Sequence, residues 1–164
     1  MKNAVILFLL ALILFSCKQN SIQLTDNTHR ITEKIAVGIY ENNSYSIIHE
    51  DSLKQVWQNI LQQHHKTKDV LSFLEIAEIT SEGEIHEPCP VLIARTASGS
   101  TSMAALLIIQ GNTCFIAPEA LNIICHGTCA KGCLPVVINK NGENSLGCSA
   151  CKECIKTETE ALNN

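Results

Sequence analysis

Residues 91–110, VLIARTASGSTSMAALLIIQ, decide the fold. Two almost unbroken apolar runs, 91–97 and 103–110, flank the polar Ser98-Gly99-Ser100-Thr101. They are the most apolar segments of the chain beyond residue 30 and read as central strands of an antiparallel hairpin. Gly111-Asn112 marks a second tight turn, and residues 113–117 a third strand. If the two turns centre on Gly99-Ser100 and Gly111-Asn112, Cys89 lies opposite Gln110 and Cys114 opposite Ile109. Alternation along the strands then points Cys89 and Cys114 to opposite faces of the sheet.

Upstream, residues 31–40 alternate, with Ile35, Val37 and Ile39 on one face of a strand. Glu41-Asn42-Asn43-Ser44 is a turn signal, and residues 45–49 close a hairpin. A helix opens at Ser52, where Ser52 and Gln55 fit a capping box. Leu53, Val56, Trp57, Ile60, Leu61 and His64 recur at steps of three and four, which makes one apolar stripe to pack on a sheet. His64 and His65 end the helix, where an imidazolium suits the C-terminal dipole. Adjacent residues diverge by about 100° on a helix, so these two do not share a metal. Residues 69–80 read as a strand, Ser81-Glu82-Gly83 as a turn, and Pro118-Glu119 as the start of a short helical turn. The expected fold is α+β, one amphipathic helix packed on an antiparallel sheet of about five or six strands, with a C-terminal disulfide-rich cap.

Composition narrows the function classes. The 164-residue chain carries a net charge of -4 with 12 scattered lysines and arginines, so it offers no basic face for a phosphate backbone, and nucleic acid is not an expected partner. Aromatic residues make up 4%, too few for a stacking platform. Gly99 and Gly111 stand alone, outside any phosphate-cradling pattern. Ser98 or Ser100 could be combined on paper with His49 or His86 and Asp51 or Asp69, but no nucleophile-elbow context supports a catalytic triad, and no catalytic residue is assigned.

At the N-terminus, Lys2 precedes an unbroken apolar run over residues 4–15, too short to span a bilayer as a mature helix. The run ends in Leu14-Phe15-Ser16-Cys17. This segment resembles the lipobox of bacterial lipoproteins: an aliphatic residue, a variable one, a small one, then cysteine. The resemblance covers residues 1–17. It implies cleavage before Cys17, a thioether-linked diacylglycerol on that sulfur, acylation of the new amino terminus, and hence a lasting membrane anchor. Lys18 follows without the acidic residue that retains some lipoproteins at the inner membrane, which favours the outer membrane. The expected organisation is a signal peptide over 1–16, a lipidated tether over 17–30, a core over 31–118, and a cysteine-rich cap over 119–164.

Eight cysteines remain: Cys89, Cys114, Cys125, Cys129, Cys133, Cys148, Cys151 and Cys154. In an exported chain an even count suits four disulfides. Cys89 and Cys114, on opposite faces, should not bond each other, and each is expected to staple the C-terminal cluster onto the sheet. Bridges from the triplet Cys125, Cys129, Cys133 to the triplet Cys148, Cys151, Cys154 would close loops of about 15 to 30 residues, each worth roughly 2 to 4 kcal/mol. The alternative is a metal centre, Zn²⁺ or Cu(I), held by those six cysteines with His126 adding a nitrogen. An iron–sulfur reading lacks the C-x3-C-P continuation, and a redox dithiol lacks a βαβ context. With disulfides assigned, no cofactor is expected. The sequence therefore points to a non-enzymatic envelope protein that binds another envelope protein or a surface ligand through braced loops such as residues 131–144. Metal binding is the competing class.

Overall fold

In the computed structural model, residues 34–65, 68–117, 121–130 and 132–159 are described, all within one unit, Thr32–Asn164. The signal peptide, Cys17, the tether, the start of the first expected strand and the turn expected at Pro118-Glu119 lie outside the described residues. Among the described residues no helix is long and apolar enough to cross a membrane.

The first hairpin pairs β1 (Ala36–Glu41) with β2 (Ser44–Ile47). Asn42 and Asn43 both take positive φ, 52° and 59°, the conformation a two-residue hairpin turn requires and asparagine tolerates. Helix α1 (Glu50–His64) follows. It begins two residues before Ser52, and no side-chain cap forms. His49 at φ 54° occupies the N-cap instead, while Glu50 and Asp51 meet the positive end of the dipole and Lys54 pairs with Glu50 at 2.6 Å. The stripe otherwise folds as its spacing predicts, with Leu53, Trp57 and Leu61 buried and Val56 and Ile60 packed beside them, except that His64, expected at its end, is exposed. The Gln58 amide ties the helix to the following strand, donating to the Asp69 carbonyl at 3.0 Å and accepting from the Leu71 amide at 2.8 Å.

Strands β3 (Leu71–Thr80), β4 (Glu82–Gly83), β5 (Pro88–Thr96), β6 (Thr101–Gln110), β7 (Thr113–Ile116), β8 (Asn122–His126), β9 (Pro135–Lys140), β10 (Glu143–Cys148) and β11 (Ile155–Thr159) complete the chain. Among the described residues the chain is mostly β with one helix, so the expected helix on an antiparallel sheet with a disulfide-rich C-terminal part is present, with the balance well on the β side. Eight strands form the main sheet, and β10, β9 and β4 form a second. The β5–β6 hairpin lies at the centre of the main sheet, with β3 outside β5. Along the other edge of β6, β7 and β8 run end to end. The carbonyls of Ser100 and Leu106 accept from Gly127 and Ala117, each at 2.9 Å, and residues six apart on a strand point to the same edge. Beyond them, β1 pairs with β7 and β11 with β8. The boundary drawn between a core ending at 118 and a cap starting at 119 therefore runs through the main sheet, because β8 and β11 belong to it.

The two faces of the hairpin feed two cores. Met103, Ala105 and Leu107 join Leu92, Ala94, Leu74, Ile76 and Ile124 beneath Leu53, Trp57 and Leu61 of α1. On the reverse face, Val91, Ile93, Ala104, Leu106, Ile123 and Cys125 meet Cys133, Val137 and Leu146 of the second sheet and its approach. The described residues form three layers: helix, main sheet, small sheet. A strand buried on both faces must be apolar throughout, which explains the unbroken runs in 91–110.

Candidate functional site: a disulfide ladder and a histidine pair

Cys125 lies one residue before the end of β8, inside the second core, Cys129 and Cys133 lie in the loop leading to β9, Cys148 closes β10, and Cys151 and Cys154 lie in the turn before β11. Three bridges join the triplets rung by rung: Cys125–Cys148, Cys129–Cys151 and Cys133–Cys154, with α-carbons 5.7, 6.2 and 5.3 Å apart. Sequence separations of 23, 22 and 21 fall inside the expected loop lengths. The bridges keep the order of both triplets, while the backbones beside them pair antiparallel, β8 with β11 through His126 opposite Ile155 and β9 with β10 through Pro135 opposite Cys148.

Between the rungs the backbones touch. A β-carbon on Gly127 would collide with the Glu153 carbonyl, so only glycine permits this approach. Thr128 Oγ1 donates to Glu153 Oε2 and Ser102 Oγ to the Cys133 carbonyl, and next to the β9–β10 pairing the Leu134 amide donates to Ser149 Oγ at 3.1 Å while the Ser149 amide donates to the Leu134 carbonyl at 2.8 Å. The segment expected as a braced loop, residues 131–144, is largely the β9 strand and the Asn141-Gly142 turn into β10, and is held as sheet.

Cys89 and Cys114 form no bridge, which corrects the expectation of four. They do point to opposite faces, Cys114 into the core beneath the helix and Cys89 into the core beneath the small sheet. Cys114 faces away from the ladder. Cys89 faces towards it, but all six ladder sulfurs are already paired, and its sulfur accepts from Asn144 Nδ2 at 3.2 Å. Burial, reinforced by the Glu87 carboxylate, pushes the Cys89 thiol up, and burial does the same for Cys114. Both are buried structural thiols, with little thiolate character.

The sulfurs of Cys125, Cys133 and Cys148 lie within 4.8 Å of one another, the convergence a soft metal needs. All three are in disulfides, so the arrangement offers no thiolate. His126 does not join them. Cys125 and Ile124 belong to opposite cores, and His126 follows Ile124 onto the helix side.

There His126 meets His65, the C-cap residue of α1, with ring centres 5.4 Å apart. His65 Nε2 bonds Thr157 Oγ1 at 3.1 Å, and His126 Nδ1 bonds Thr101 Oγ1 at 2.8 Å. Burial, followed by the neighbouring His126 and His64, pushes the His65 imidazole below its ordinary value. The pair was not legible in sequence, since its members are 61 positions apart and belong to different elements. Of the paper triad, Ser98 and Ser100 both donate to Asp69, at 2.5 and 3.1 Å. His86 bonds the Ser81 carbonyl and His49 caps the helix, so neither completes it.

Compared with known proteins, the chain matches no family model, no curated protein and no solved structure.

Proposed function

We propose that this chain is a lipid-anchored cell-envelope protein, tethered through Cys17 to the outer membrane, whose disulfide-braced domain is a non-enzymatic binding module for another envelope protein or a surface ligand. The observation that carries the reading is the ladder. Six cysteines pair completely within 30 residues, and such cross-links persist in oxidising compartments rather than in the cytosol. An export signal and such a ladder are what a protein beyond the inner membrane would carry, and together they support the reading. The outer face of the small sheet is the surface such a module would offer. Val136 and Ile138 lie over Gly147, Ile138 is 39% exposed, and the ladder fixes the strand beneath them. A surface already rigid loses less entropy on binding.

The test uses the mature chain extracted from envelopes in detergent. Denatured without reductant, it should take up alkylating agent at two thiols, Cys89 and Cys114, and at all eight after reduction. Labelling with radioactive palmitate should be lost in Cys17→Ser. Eight reactive thiols before reduction, with zinc or copper retained, would favour the second reading, in which Cys125, Cys133 and Cys148 are thiolate ligands. An unlabelled wild type would remove the anchor.

A further inference from the structure

We propose that His65 and His126 form a two-histidine site for a borderline divalent transition-metal ion, Zn²⁺ or Ni²⁺, bound through the ring nitrogens that their threonine partners leave free. The site lies on the helix side of the main sheet, uses no cysteine, and does not depend on the anchoring or binding role above.

The first support is spacing. With metal–nitrogen bonds of about 2.1 Å and tetrahedral angles, two imidazoles on one ion have ring centres roughly 5 Å apart. The observed separation is 5.4 Å, with the rings tilted by 41°. Both side chains are half-buried, which limits their freedom and leaves the site open to an ion from solvent.

The second support is tautomer control. Ser100 donates to Asp69 at 3.1 Å, and an ionised carboxylate can only accept. With its proton so used, Ser100 Oγ can only accept from Thr101 Oγ1, 3.4 Å away. In that arrangement Thr101 accepts at 2.8 Å from His126 Nδ1, and this is the tautomer that leaves the Nε2 lone pair for an ion. A carboxylate-terminated chain of this kind is the outer-shell support that metal-binding histidines usually have. His65 is held in the same way at one nitrogen only, by Thr157, which leaves Nδ1. The two held nitrogens are on opposite kinds of ring position, and the two remaining ones are the ligands.

Two protein ligands leave coordination positions for water or for a donor from a bound partner. Because His65 ends α1 and His126 ends β8, the ion would also clip the helix to the sheet.

The experiment is calorimetric titration of Zn²⁺ and, separately, Ni²⁺ into the mature oxidised chain in detergent, with thermal unfolding run in parallel. One ion per chain is expected, with a rise in unfolding temperature of about 9 °C at a hundredfold excess over the dissociation constant. His65→Asn and His126→Asn, which keep one hydrogen-bonding side chain and remove the second ring nitrogen, should each weaken binding at least tenfold. Thr101→Val should weaken it roughly tenfold while leaving both rings in place. His64→Ala and His86→Ala should leave it unchanged. Absence of binding to the wild type overturns the proposal, as does binding that survives both asparagine variants or is lost in His64→Ala alone.

Discussion

Cutting the middle rung, Cys129→Ser with Cys151→Ser, separates chain entropy from packing. Both residues are half-buried, whereas Cys125 and Cys133 are buried in the second core. In an otherwise open chain, a bridge between residues 22 apart would be worth about 3.4 kcal/mol by loop closure. The rungs are not independent. With Cys125–Cys148 in place, the Cys129–Cys151 bridge closes a ring of only four residues on one side and three on the other, worth about 2.4 kcal/mol by the same relation. The whole ladder then contributes about 8 kcal/mol, as much as the net stability of many domains. Trp57 is the one tryptophan, 1% exposed, and lies across the main sheet from the ladder, so its emission reports global unfolding. In the double variant Cys133–Cys154 closes the larger ring of eight and six residues, worth about 3.0 kcal/mol instead of about 2.4, so the net loss is about 1.7 kcal/mol. In equilibrium urea titrations without reductant, that variant should lose about 1.1 M of midpoint for an m value of about 1.5 kcal/mol/M. Complete reduction should unfold the protein before denaturant is added. A midpoint unmoved by the double substitution would show that packing and hydrogen bonds hold the segments together and that the entropic account is wrong.

Three further outcomes follow from named contacts. Leu61→Ala, at a position with no solvent exposure, should cost about 2 to 5 kcal/mol, read by Trp57 fluorescence. Gly127→Ala drives a methyl into the Glu153 carbonyl and should cost about 1 to 3 kcal/mol with all three bridges still formed by mass. For His65, whose folded-state value lies below its ordinary one, the unfolded chain takes up the proton first on acidification. Its contribution is therefore complete above about pH 6.5 and is lost as the pH falls towards the depressed folded value. His65→Gln should flatten that part of the unfolding midpoint's pH profile.

The main hairpin was legible because a doubly buried strand admits few polar residues, and residues 91–97 and 103–110 hold almost none. The register was harder. Val91 pairs with Leu106, two residues from the pairing that a turn centred on Gly99-Ser100 gives, because the connection spans residues 97–100. The C-terminal strands were missed for a different reason. Strands β9, β10 and β11 are short, half exposed and set between cysteines, and segments such as ENSLGC and IKTET carry little apolar alternation until a partner sheet supplies their other face. The helix start was misplaced because Ser52 and Gln55 satisfy a pattern that the left-handed His49 had already pre-empted.

The two unpaired cysteines show what parity can and cannot decide. A two-residue shift in register leaves every side chain on its original face, so Cys89 and Cys114 point in opposite directions despite the displaced turn, whereas a shift of one would have exchanged the cores. An even number of cysteines carries no such guarantee. The ladder occupies one side of the main sheet, so Cys114, on the other side, is excluded from it by the sheet itself. That removes the fourth pair whatever the total. Cys89 then has no partner on its own side, since three rungs consume six sulfurs within the C-terminal segment. Pairing follows from which sulfurs share a face, and the count matters only within that set.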